Sequence, residues 1–212
     1  MSSTRFKPAQ SSAPVVKRLY VIDTSYLLEL YRVEGDYEEQ AHLKIKERFQ
    51  SESSSQFFVP VAVLFELANH IADAHRKNFC SSQRIAKELQ RKVQESLARP
   101  SLVTSPTRVP QPTQPDDQEK LPPWIITYAA GCSTLEGLMD ALSSCVSRFS
   151  EEFAANQLGL TDTAVVLEAQ RLRQQNKSDS SRQYKIHIWT RHAALKAHEP
   201  DAEDAPFIGL VD

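Results

Sequence analysis

The chain has 212 residues, 41% hydrophobic and 25% charged, with a formal net charge of −2. These proportions suit one globular domain with a sizeable core and exclude a chain coated in positive charge. No apolar stretch approaches the roughly 20 residues that a transmembrane helix needs, so no membrane partner is expected. Residues 1–14 are polar and Ser-rich without the apolar run of a secretory signal, and 1–17 are expected to form a disordered leader. Cys80, Cys132 and Cys145 make no CxxC and no metal-ligand spacing, and an odd count suits a reducing compartment. The expected location is cytoplasmic.

In chain order, Leu19-Tyr20-Val21-Ile22 is a short apolar run of strand-forming residues that ends at Asp23. Two polar helical segments follow, over 26–32 and 37–50, then a Ser-rich loop at 51–55. Residues 57–61 form a second strand, with Pro60 at its end, where a lost donor is tolerated. Leu64, Leu67, Ala68 and Ile71 recur at helical spacing, and Ile85, Leu89, Val93 and Leu97 continue that rhythm in a second, highly charged helix that stops at Pro100. Seven prolines between 100 and 123, with no apolar periodicity, mark an insertion that cannot build a core. A strand over 124–128 follows, then a long helix over about 133–153, opened by the Ser133-x-x-Glu136 capping-box signature. Gly159 breaks that run, and Thr161 is expected to cap a helix through about 175. Strands over 185–189 and 207–211 close the chain. Strands alternating with helices predict a three-layer α/β/α fold around a central, mainly parallel sheet.

Three carboxylates occupy telling positions in that plan. Asp23 ends the first strand, Glu66 falls in the expected first turn of the helix after the second strand, and Asp162 opens the helix after Gly159. The ends of parallel strands and the starts of the helices that follow them share one edge of an open sheet, where ligands bind. Each acid also has an ordinary reading, as a helix cap or as a partner of the helix dipole worth roughly 0.3–1 kcal/mol. Local basic segments, 77–99 and 171–182, read either as solvated helix faces or as flanks of a nucleic-acid groove.

Taken together, Val21-Ile22-Asp23-Thr24-Ser25, Val59-Pro60-Val61-x-x-Leu64-x-Glu66-Leu67, Leu158-Gly159-Leu160-Thr161-Asp162-Thr163-Ala164 and His187-Ile188-Trp189-Thr190 resemble the motifs of the PIN-domain nucleases, a family that includes the VapC-type toxins. The resemblance spans about residues 18 to 211. It implies a single PIN-like domain over 18–212, with the Pro-rich stretch at about 100–123 as an insertion. It further implies a metal-dependent endoribonuclease that hydrolyses phosphodiester bonds of single-stranded RNA. Asp23, Glu66 and Asp162 would be catalytic residues and ligands of Mg²⁺ or Mn²⁺, since hard divalent ions take oxygen donors and retained waters. Ser25 and Thr190 would support Asp23. The family pattern places a fourth acid two residues after the last-motif Thr, in a Thr-x-Asp arrangement, and here that place holds His192. His192 reads as a nitrogen ligand, a general base or a surface histidine. RNA is the implied substrate and partner, with a homodimer or an antitoxin-like protein as further partners in a toxin–antitoxin role. A stand-alone role fits the chain length equally.

Two rival readings stand beside this one. A catalytically weakened PIN-like module could hold RNA or protein without cutting. A phosphotransferase of the haloacid dehalogenase type also starts from a strand-end Asp, but it wants a second Asp where Ser25 stands. A dinucleotide or P-loop site is excluded by the absence of any GxGxxG or Walker-type glycine pattern.

Overall fold

Strand β1 (Val16–Ile22) lies at the heart of a four-stranded sheet of order β3-β2-β1-β4, in which every pairing is parallel. In this computed structural model the described residues are 16–33, 38–52, 54–76, 82–97, 124–127, 143, 155, 158–177 and 183–210. After β1 come α1 (Thr24–Tyr31) and α2 (Glu39–Ser51), then β2 (Gln56–Pro60), α3 (Val61–Arg76), α4 (Ser82–Leu97) and β3 (Trp124–Thr127). Helix α5 (Leu160–Asn176), β4 (Gln183–Trp189) and the one-turn α6 (Ala193–Lys196) complete the chain. The predicted α/β class and parallel sheet are therefore present.

Several boundaries differ from the expectations, each for a local reason. Residues 16 and 17 belong to β1 rather than to a leader, because Val16 and Lys17 pair with Gln183 and Tyr184. Val61 opens α3 instead of ending β2, which puts Glu66 in the second turn of its helix rather than the first. Thr161 does not cap α5: the helix starts one residue earlier, with Gly159 as N-cap. Residues 207–210 form no strand. The leader 1–15, the Pro-rich insertion, the expected helix over 133–153 apart from the helical residue 143, Tyr128, Val211 and the three cysteines lie outside the described residues. No helix among the described residues is long and apolar enough to cross a membrane.

The register sorts side chains by face. In-register neighbours on parallel strands point the same way, so Tyr20, Phe57 and His187 share one face with Trp189. There Tyr20 and Trp189 lie 4.2 Å apart between ring centroids, and Phe49 of α2 meets the Trp189 ring edge-on at 5.0 Å. Tyr26 of α1 stacks on Trp189 at 5.7 Å, so one indole joins two strands to two helices. Leu19, Val21, Phe58, Ile186 and Ile188 alternate with this set on the other face. Helix α5 packs along β4, β1 and β2 and buries Val165, Val166, Ala169 and Leu172.

The free side of β4 is closed without a further described strand. Asp201 accepts the Ile186 N–H at 2.9 Å and returns its own N–H to the Ile186 carbonyl at 3.2 Å. Glu199 accepts the Ile188 N–H, and Lys196 donates to the Ile188 carbonyl, each at 2.9 Å. Side chains thus satisfy ladder groups that would otherwise invite another chain. Burial works to raise the Glu199 pKa, but hydrogen bonds from His187 and Lys196 more than offset it and hold the carboxyl below the ordinary carboxylate value.

Two outcomes follow. Trp189→Ala should lower unfolding free energy by about 3–5 kcal/mol in urea denaturation, as expected for emptying the space of a fully buried aromatic. Because Glu199 is depressed, its contribution is present above the unfolded-state pKa and disappears as pH falls through the folded value. Glu199→Gln should therefore lower the melting temperature at neutral pH and flatten its decline in acid; an unchanged acid slope would exclude the assignment.

Candidate acidic site at the carboxyl edge of the sheet

The chain winds from β1 through β2 to β3 on one side, then returns to place β4 on the other. The connection changes direction between β1 and β4, and in open α/β sheets the carboxyl end of such a switch point is a crevice. Asp23 and Thr190 stand at its two lips, one residue beyond β1 and β4. The Asp23 N–H extends the ladder to the Trp189 carbonyl at 2.9 Å.

Asp23 is the N-cap of α1 and is only 5% exposed. Its Oδ2 accepts the Ser25 hydroxyl at 2.6 Å, the Thr190 hydroxyl at 2.9 Å and the Ser25 N–H at 3.3 Å. The two hydroxyls are themselves held: the Arg191 N–H donates to Ser25 Oγ at 2.9 Å, and the His192 N–H donates to Thr190 Oγ1 at 3.0 Å. Each hydroxyl has one proton, so accepting from backbone leaves that proton for Asp23. These three hydrogen bonds to the carboxylate all fall on Oδ2.

Glu66 reaches the same edge from α3, where its Oε2 accepts the Thr24 hydroxyl at 2.5 Å. Asp162 reaches it from α5 and accepts the Gly159 N–H at 3.0 Å, so it also serves the helix as a cap. Its pKa is raised, first by burial and further by the charges of Asp23 and Glu66, while the Gly159 N–H and His192 pull in the opposite direction. That coupling brings residues 23, 66, 162 and 192 into one electrostatic neighbourhood. Ser25 and Thr190 touch Asp23 directly, and His192 is exposed at the N-cap of α6.

Other ionisable residues sit elsewhere. Glu199 and Asp201, downstream of His192, face the edge of β4 rather than this crevice. His187 is buried in the aromatic face against Tyr20. Much of the basic character of 77–99 and 171–182 is engaged locally: Arg91 pairs with Glu88, Arg171 with Glu168, and Lys92 is buried over the Trp124 ring.

Sequence reading missed Thr24 and, above all, Arg191. Arg191 is 4% exposed, and its guanidinium pairs with Glu29 of α1 and with Glu38 while donating to the Gly209 carbonyl at 3.0 Å. Burial raises the Glu29 pKa, and Arg191 opposes that rise. The signal was Glu29 itself, a charge between Leu28 and Leu30 in an otherwise apolar helix, which calls for a buried partner.

In charge and donor type, the three acids suit a hard divalent cation, which would relieve the repulsion felt by Asp162. Among the described residues, however, no three His, Cys, Asp or Glu side chains form a group that could hold a metal ion as they stand. Each of the three acids has one oxygen committed to a protein donor. Compared with models of known protein families and with curated protein sequences, the chain matches none.

The raised Asp162 pKa has a consequence for stability. An acid whose folded pKa is raised binds its proton more readily in the native state, so stability falls as pH rises through the window above the ordinary carboxylate value. Asp162→Asn keeps an acceptor for Gly159 and removes the desolvated charge. Its melting temperature should exceed the wild-type value at neutral pH, with the gap closing on acidification.

Proposed function

We propose that this chain is a PIN-like, metal-dependent ribonuclease that hydrolyses phosphodiester bonds of single-stranded RNA. The observation that supports the reading is geometric: Asp23 ends β1 at the β1/β4 switch point, and Glu66 of α3 is tied to the same end through the hydroxyl of Thr24, the residue that follows Asp23. Asp162 is near enough for both charges to raise its pKa. Acids from a strand end and from two separate helices, up to 139 positions apart by subtraction of their numbers (162 − 23), stand toward the edge where an α/β sheet binds ligands. Asp23 would be the central ligand of Mg²⁺ or Mn²⁺ through Oδ1, with Glu66 and Asp162 completing the oxygen donors. When bound, such an ion supplies charge stabilisation to the phosphate and an activated water.

The residues themselves have defined tasks. Ser25 and Thr190 hold Asp23 in one rotamer and keep its Oδ2 from turning toward the crevice. Thr24 does the same for Glu66. With one oxygen of each acid already held by a protein donor, an ion there would retain several waters, which is the habit of Mg²⁺. RNA is then the partner, and a reducing, cytoplasmic setting agrees with cysteines that show no pairing pattern.

A second reading, a catalytically weakened module that binds RNA or protein, is favoured by His192 at the position where the family pattern has an acid. One assay separates the two. Purified protein incubated with end-labelled single-stranded RNA and Mn²⁺ should cleave it, chelation should stop cleavage, and Asp23→Asn should slow it by ~10²-fold or more. RNA retained on the protein but left intact, with and without Mn²⁺, would select the binding module.

A further inference from the structure

We propose that Arg191 is a positioning residue for this site, acting on Asp23 through the Ser25 and Thr190 hydroxyls. The inference rests on the ribonuclease reading for its consequence, but its geometry stands independently. Arg191 lies at the first bend after β4, between Thr190, which donates to Asp23, and His192, whose N–H donates to the Thr190 hydroxyl. Its side chain leaves the crevice and enters the protein, where Glu29, Glu38 and the Gly209 carbonyl take its two terminal nitrogens. The Nε is buried without a partner, so the placement is dictated by the terminal fork.

This clamp joins three segments. Glu29 belongs to α1, which begins immediately after Asp23; Glu38 precedes α2 and sends its own N–H to Glu29 Oε2 at 3.2 Å. Gly209 belongs to the C-terminal segment, and the Leu210 N–H meets the Arg191 carbonyl at 3.3 Å. With the bend fixed from both sides, consecutive backbone N–H groups of Arg191 and His192 point at Ser25 Oγ and Thr190 Oγ1. Both hydroxyl protons are thereby directed to Asp23 Oδ2. A buried ion pair is weak evidence for stability by itself, but fixing one arrangement among several is a use suited to it.

The test uses the full chain and two readouts. Removing Arg191 alone would strand Glu29, so the working variant is Glu29→Gln with Arg191→Met, which removes both buried charges. Arg191→Lys serves as the conservative variant. In amide hydrogen exchange, the double variant should lose protection about tenfold or more at residues 191 and 192, while amides of the β1–β4 ladder keep theirs. Arg191→Lys should fall between. In Mn²⁺ titration, affinity should drop roughly tenfold, as for loss of a group that orients a ligand. The same charge removal made in a Ser25→Ala background should cost less than tenfold, because the route through Ser25 is already cut and only the one through Thr190 remains.

Unchanged protection at 191 and 192 overturns the proposal, and so does an affinity loss that is fully additive with Ser25→Ala. If protection is lost throughout the sheet, Arg191→Lys decides: local loss supports positioning, and global loss overturns it. A wild-type chain that neither binds Mn²⁺ nor cuts RNA ends the ribonuclease reading, and the exchange result alone then decides whether Arg191 orders the rim.

Discussion

Seven consecutive in-register pairs between β1 and β4 hold the rest of this structure in place. The two strands are about 165 residues apart in sequence, yet their parallel alignment makes Ile22 the neighbour of Trp189 and, one step on, Asp23 the neighbour of Thr190. A slip of one position would turn Tyr20 and Trp189 away from the aromatic face and carry Thr190 out of reach of Asp23. The aromatic cluster and the acidic crevice therefore depend on one register. The cluster enforces it, since Phe49, Phe57, Tyr20 and Tyr26 all gather around the Trp189 ring.

Charge is handled differently at the two margins of β4. Along its free edge, Glu199, Asp201 and Lys196 each satisfy backbone groups, and Glu203 accepts from the Trp189 indole at 3.0 Å. Those acids are compensated, and Glu199 is correspondingly easy to ionise. At the carboxyl end, Asp162 is burdened by burial and by like charges. The Gly159 N–H offsets only part of that burden, and a neutral side chain at this place would avoid it. The contrast marks the crevice as a place where stability is given up, which agrees with a function for it.

Arg191 links these two regimes. Its guanidinium is buried with Glu29 and Glu38 as partners, while its backbone N–H donates to Ser25 beside Asp23. Side chain and main chain of one residue thus look in opposite directions. A bend anchored on one side and hydrogen-bonded on the other has little freedom to relax, which suits a rim that must present one carboxylate oxygen in a fixed direction.

Much of this was legible before any coordinates. Short apolar runs around Val21 and Val59, helical spacing through Leu64, Leu67 and Ile71, and the polar break at Gly159 determined an α/β plan with Asp23 and Asp162 at element boundaries, whereas Glu66, expected in a first turn, falls in the second. Periodicity and strand-end position are local properties, and local rules read them. The strand at 207–211 was misread because an apolar run alone cannot show whether an edge is already satisfied, and here Glu199 and Asp201 had taken the edge of β4. Strand order, the switch point, the three donors on a single Asp23 oxygen and the Arg191 clamp were decided only in three dimensions. Each is a contact between residues far apart in the chain, and only the packed register of β1 on β4 selects which of them meet.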